Sequence, residues 1–378
     1  MIKVGIRTLL AGLCAVSIGL LSTSTPLWAQ QHYKQTNLVS DVPGMAQTTD
    51  PNLVNAWGIS RSSGSPWWVS DNGMGVATLY NGAGAPFPPP PAPSPLVVTI
   101  PPSAVNQGQM GVPTGQVFNG TTGFTLGNGK PANFIFATED GTISAWNGGA
   151  AATIMADTKG ASVYKGLAIA AVDDPVMGPT YFLYAADFRK NQISVWDSNF
   201  KPVNLKGQAF SGGGIPNAFA PFNIQNVGGL LYVAYAKQDA EKHDEVDGAG
   251  LGFVNIFSPT GQLVGRLDHG SWFNAPGGMT QAPSDFGAYS HNILVGQFGS
   301  GEILVFNPVT GQFIDRLRDA NNAPITIDGI WGINFGSSAA SGNSGSATTL
   351  FFAAGIEHES HGLFGTITPV ENVLGGDH

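Results

Sequence analysis

The chain has 378 residues, of which only 11% are Asp, Glu, Lys or Arg, under half the share of an ordinary globular protein. Its 52 Gly and 26 Pro exclude a helical bundle, since each inside a helix costs about 1 or 3 kcal/mol. The 42% of apolar residues exclude a disordered chain. A net charge of −9 and a pI near 5.1 exclude nucleic acid as partner, because that association depends on clustered Lys and Arg.

Residues 1–29 begin with a basic head, Lys3 and Arg7. An uncharged run from Thr8 to about Leu21 follows, then Pro26 and a small residue, Ala29. This layout predicts a signal peptide cleaved after Ala29, and hence a secreted or periplasmic protein. The only cysteine, Cys14, falls in the removed part, so the mature chain has neither disulfide nor thiol chemistry. No later segment is apolar enough to span a bilayer.

From residue 30 to 378 a single domain is predicted. One phrase recurs in AWGIS, PTGQVF, YKGLAIA, PFNIQ, PGGMTQ and IWGINF. Aligned on Gly58, Gly115, Gly166, Asn223, Gly278 and Gly332, the steps are 51 to 57 residues. Asn in the place of Gly suggests a position of positive φ. Each start is followed by a second apolar run, such as PWWVSD or NFIFATED. A third run, such as QISVW or EILVF, alternates with period two, as strands do. Weaker fourth strands are read in PLVVTI, ATIMAD, VNLKGQAF, QLVGRL and QFIDRL.

Four strands per unit in six units, spanning about 51–370, predict an all-β fold, a six-bladed β-propeller. The sixth unit lacks its fourth strand. The orphan strand at about 33–41 is predicted to pair into that last blade, because an unclosed ring leaves two unpaired edges. Two segments interrupt the pattern. Residues 85–95, APFPPPPAPSP, read as a stiff polyproline loop. Residues 336–348 read as a flexible Gly/Ser loop.

In a propeller, the loop entering each first strand and the loop joining the second and third strands share one face around the axial channel. The first kind assigns Asn55, Trp57, Thr114, Lys165, Asp328 and Trp331 to the channel. The second kind assigns Asp71, Glu139, Asp187 and Gln297. Acids and amides dominate, which is oxygen chemistry suited to Ca²⁺; each acid alone is equally read as a cap on turn N–H groups. The loop KQDAEKHDEVDGAG (237–250) offers Asp239, Asp244 and Asp247 as metal ligands. GIEHESHG (355–362) offers Glu357, His358 and His361. The latter is one residue short of HExxH and lies in a loop, so the zinc-protease arrangement, with both His on one helical face, fails. No GxSxG precedes a helix, so nucleophilic catalysis has no support.

The stretch LYAADFRKNQISVWDSNF resembles the NHL type of propeller repeat. NLVSDVPG, DPNLVNAWGIS, YAKQDAEKHDEVDGAGLGFVNIF, DGIWGINFG and HGLFGTI resemble an uncharacterised family of secreted bacterial six-bladed propellers, some with a PEP-CTERM sorting tail. This chain ends in ENVLGGDH, without such a tail. The resemblance implies a fold and a location but no activity. Two functions follow. One is a monomeric binding propeller for a small molecule, glycan or peptide, holding Ca²⁺ at the channel mouth. The other is a Ca²⁺-assisted hydrolase resembling the six-bladed gluconolactonase group, with Glu139, Asp187, Asn55 and Asp328 around one ion.

Overall fold

The computed structural model describes residue 1 and residues 31–89, 91–92, 94–205, 209–339 and 342–370. The predicted signal peptide, Cys14 and the ENVLGGDH terminus lie outside the described residues. Among those described, no helix is long and apolar enough to cross a membrane.

The strands form six sheets ordered as successive blades, antiparallel except where the short strand Thr48–Thr49 lies parallel to Tyr33–Ser40. The first strands are Ala56–Ser60, Pro113–Phe118, Tyr164–Asp174, Phe219–Val227, Pro276–Gln281 and Ile330–Phe335. Each pairs with a second strand, and that with a third. Both faces of a blade are covered by neighbours, so inner strands such as Trp67–Asp71 and Ile303–Phe306 are buried at every position, unlike a sheet with one wet face. Six apolar clusters fill the spaces between blades, and a seventh lies on the axis around Trp57, Phe188, Phe222 and Trp331.

The last blade closes as the orphan strand predicts. Tyr33–Ser40 runs antiparallel to His361–Pro369, from Tyr33 opposite Pro369 to Ser40 opposite Leu363. Tyr33 is 1% exposed. Its hydroxyl donates to the Phe286 carbonyl at 2.9 Å, and its ring meets those of Phe286 and Tyr289 in the core between blades 5 and 6.

In blade 3 the fourth-strand segment VNLKGQAF lies partly outside the described residues; among those described, a bridge between Trp196 and Pro202 extends the sheet. The asparagine-for-glycine reading needs correction. None of Gly58, Gly115, Gly166, Gly278 and Gly332 has positive φ, nor has Asn223. What these positions require is room. A Cβ on Gly58 would lie 2.5 Å from the Thr114 carbonyl oxygen, and one on Gly278 would lie 2.5 Å from that of Trp331. On Gly115 it would lie 2.5 Å from the Leu167 nitrogen, and on Gly332 it would lie 2.8 Å from the Trp57 carbonyl oxygen. Each inner strand packs its backbone on the next, the close approach that favours glycine inside a strand. Asn223 fits because its Nδ2 reaches onward, donating to the Gly277 carbonyl at 3.0 Å.

At the same place the register of all six blades slips between the first and second strands. Such bulges re-aim a side chain. Here they flank the residue just before the ring position: Trp57, Thr114, Lys165, Phe222, Gly277 and Trp331. Four of these six, Trp57, Lys165, Phe222 and Trp331, line the axial channel.

Tyr33→Ala removes a buried ring from the closing strand and should lower stability by about 3–5 kcal/mol. Urea denaturation checks this; an unchanged midpoint would contradict the closure.

Candidate functional site

The axis is blocked by an aromatic layer. Trp57 and Trp331 stack with ring centroids 3.5 Å apart and 15° between planes. Phe298 packs on Trp331 at 4.4 Å and Phe222 on it at 5.0 Å. The two tryptophans proposed from sequence as channel-face groups are therefore buried on one another.

Lys165 abuts this layer. Its side chain is 1% exposed, and its ammonium lies 5.0 Å from the Trp57 ring and 5.9 Å from that of Phe188. Nζ donates to Glu139 Oε1 at 2.5 Å and to Asp244 Oδ1 at 3.2 Å. Burial alone would lower this ammonium's pKa, but the charges of Glu139, Glu245 and Asp244 outweigh it and hold the group above its ordinary value. A buried cation of this kind is retained only when paired.

The carboxylates form a chain around it. Asn72 Nδ2 donates to Glu139 Oε2 at 2.9 Å. Asn55 Nδ2 donates to Glu359 Oε1 at 3.2 Å. Asn55 is 6% exposed, and its Oδ1 has no hydrogen-bond partner. His243 Nδ1 pairs with Asp244 Oδ1 at 2.8 Å. That bond raises the imidazole and lowers the Asp244 carboxyl. Glu245 is pushed up to about 8, first by burial and then by the charges of Glu359 and Asp247, against the opposing pull of Lys165. Burial and the Glu139 charge raise Glu359 as well.

The remaining sequence candidates lie elsewhere. Asp71 and Asp187 end their second strands, where the period-two alternation turns the side chain between blades and the next residue toward the axis. The groups facing the channel are accordingly Asn72 and Glu139, with Phe188 and Phe298 in or against the axial cluster. Asp71 is wholly buried with neither oxygen partnered, and desolvation pushes its carboxyl well above the usual range. Asp187 accepts from the Lys190 N–H at 3.2 Å. Gln297 Oε1 accepts from the Asn274 N–H at 2.9 Å, and the Thr114 hydroxyl donates to the Tyr164 carbonyl at 2.7 Å. These are structural roles.

The proposed metal ligands also separate. Asp239 caps its own turn by accepting from the His243 N–H at 2.8 Å, and Asp247 is exposed. Glu357, His358 and Glu359 adopt left-handed backbone, with φ of 53°, 55° and 64°, so no right-handed helix aligns His358 with His361. Glu357 and His358 face solvent, and Asp328 accepts the Glu357 N–H at 2.7 Å. His361 is held by Asp41, Nδ1 to Oδ2 at 2.6 Å, beside the closing strand. Only Asp244 belongs to a metal-type group: with Glu139 and His243 it offers ligand atoms within 4.8 Å of one another. The Lys165 ammonium already contacts the two carboxylates of that group, so they do not fit Ca²⁺, which needs six to eight oxygens free of a competing cation.

A cavity of about 240 Å³ lies beyond the aromatic layer, on the side away from the carboxylates. It is lined by the halves of the first strands that follow the ring glycines, such as Ile59–Arg61, Leu167–Ile169 and Ile333–Asn334.

No protein-family model matches the chain. It is 29% identical over 370 residues to uncharacterized protein R648 of Acanthamoeba polyphaga mimivirus, covering 94% of this chain and 85% of that one. Uncharacterized protein R640 of the same virus is 32% identical over 250 residues, covering 64% of this chain and 43% of that one. These relatives are viral, and they lend no support to the bacterial, secreted or sorting-tailed character implied by the resemblance. Among solved structures, a protein of unknown function from Bacteroides thetaiotaomicron matches with a TM-score of 0.52 at 12% identity, covering 90% of this chain and 77% of that one. A streptogramin B lyase matches with a TM-score of 0.48 at 11% identity, covering 91% and 99%. At such identities the first of these likenesses shows the propeller fold alone.

Glu245 ionises near 4.5 when unfolded and near 8 when folded, so the native state binds the extra proton between these values. Its contribution to stability therefore falls as pH rises from about 4.5 to 8. Urea denaturation at pH 5 and pH 8 should show a larger loss in the wild type than in Glu245→Gln. Equal losses would contradict the site's electrostatics.

Proposed function

We propose that the chain is an exported, non-enzymatic binding propeller whose acidic channel mouth takes a small organic cation. The supporting observation is the charge imbalance at Lys165: Glu139, Asp244, Glu245 and Glu359 surround one ammonium and one imidazole, and Glu245 keeps its proton to about pH 8. Positive charge brought to this mouth relieves the repulsion, and the unpartnered Asn55 Oδ1 is an additional acceptor. The basic head and apolar run of residues 1–29 support export.

The hydrolase reading loses its ligand set. Asp187 is turned between blades and Asp328 holds a backbone N–H, so only Asn55 and Glu139 remain at the mouth. Calcium is disfavoured because Lys165 already holds two of the carboxylates; an amine needs fewer oxygens, which Glu245, Glu359 and the Asn55 amide supply.

Thermal unfolding at constant ionic strength tests this. Cadaverine at ten times its Kd should add about 1.4 kcal/mol of stability, released protons should accompany its uptake, and Glu359→Gln should weaken it. Calcium chloride should do no more than potassium chloride. A chelator-reversible shift with calcium alone, or no shift with either cation, would overturn the reading.

A further inference from the structure

The cavity beyond the aromatic layer has a charge character opposite to that of the mouth. No Asp or Glu lines it, while Arg61 and Lys165 do. The Lys165 charge is spent on Glu139 and Asp244. The Arg61 charge is not spent on any acid. Its guanidinium donates from Nε to the Phe335 carbonyl at 2.7 Å, from Nη2 to that of Gly336 at 2.6 Å and from Nη1 to that of Ser62 at 3.4 Å. Its planar group also lies 5.6 Å from the Trp67 ring. Among the described residues no carboxylate pairs with it. Carbonyl dipoles and a ring hold the cation in place without cancelling its charge, and burial lowers its pKa. A fixed, partly buried cation with no counter-ion leaves a positive potential in the adjoining cavity.

The floor reinforces this. Both faces of the tryptophan pair are covered, Trp57 by Trp331 and Lys165, and Trp331 by Trp57, Phe222 and Phe298. The rings can then offer only their edges, which carry partial positive charge. A flat ligand cannot stack there. The Trp331 indole N–H is buried without a partner. Ile59, Leu167 and Ile333 supply apolar wall, and Gln225 supplies a side-chain amide.

We propose that this cavity is a second binding site, which takes a small organic monoanion: a carboxylate on a compact apolar body. The carboxylate meets Arg61 and the Gln225 amide, and the apolar body fills the space between the aliphatic walls. The site is independent of the acidic mouth, since an anion is repelled there.

The test is an isosteric charge series on the intact protein by titration calorimetry, using benzoate, benzamide and benzylamine. Benzoate should bind saturably and at least tenfold tighter than benzamide, and benzylamine should show no competition with benzoate. Arg61→Gln should weaken benzoate at least tenfold and leave benzamide unchanged, whereas Arg61→Lys should retain most of the affinity. Should the Arg61 variants fail to fold, Gln225→Glu places a negative charge in the lining at a partly exposed position and should abolish benzoate binding. Equal binding of benzoate and benzamide, no saturable benzoate binding, or benzoate binding indifferent to Gln225→Glu would each overturn the proposal.

Discussion

Six inner strands must converge on one axis closely enough for backbone to touch backbone. At five of them the contact leaves no space for a Cβ, and at the sixth Asn223 bridges to the next blade. The ladder bulge beside each contact absorbs the geometric cost and rotates the preceding residue. The aromatic layer, the buried lysine and the separation of the axis into two unlike ends all follow from this arrangement. The aromatic layer and the buried lysine are built from residues just before a ring position or just after a second strand.

The electrostatics then hinge on Lys165. Breaking a buried ion pair by removing one partner costs about 3–5 kcal/mol, because the other charge is left unpaired. The lysine therefore commits Glu139 to itself, with the exposed Asp244 carboxylate as a weaker second partner. The remaining carboxylates, Glu245 and Glu359, are raised first by burial and then by their acidic neighbours, against the pull of Lys165. On the far side of the layer the described residues give Arg61 carbonyl and ring partners and no carboxylate, so the charge lining the axis changes sign. A protein of net charge −9 thus places a carboxylate-rich mouth and a cavity lined by Arg61 and no acid a single side-chain layer apart.

Blade number and closure were legible in the sequence because both rest on local signals. The ring phrase repeats at near-constant spacing, and Tyr33–Ser40 is a strand with no partner of its own. The facing of individual residues was not legible. A bulge adds one residue to the strand, and a slip of one residue exchanges the two faces. Asp71 and Asp187 were expected in the channel but turn between blades, while Glu139, assigned there from sequence, and Asn72, which was not, face it. Phe188, Phe222 and Phe298 received no assignment from sequence, although Phe222 directly precedes the ring position, a signal that could have marked it. The pairing of Lys165 with Asp244, 79 residues away, and the freedom of Arg61 from any acid depend on tertiary placement, which no spacing encodes.

The ring contact is tested most directly by an alanine scan of Gly58, Gly115, Gly166, Gly278 and Gly332 in thermal unfolding. Gly64 and Gly127 serve as controls, since a Cβ there meets nothing within 4 Å. All five ring variants should lose about 1–3 kcal/mol or more, the range for forcing atoms into packed space, while both controls stay within about 0.5 kcal/mol. Ring variants as stable as the controls would contradict the close-packed axis on which the layer, the lysine and both ends of the channel are built.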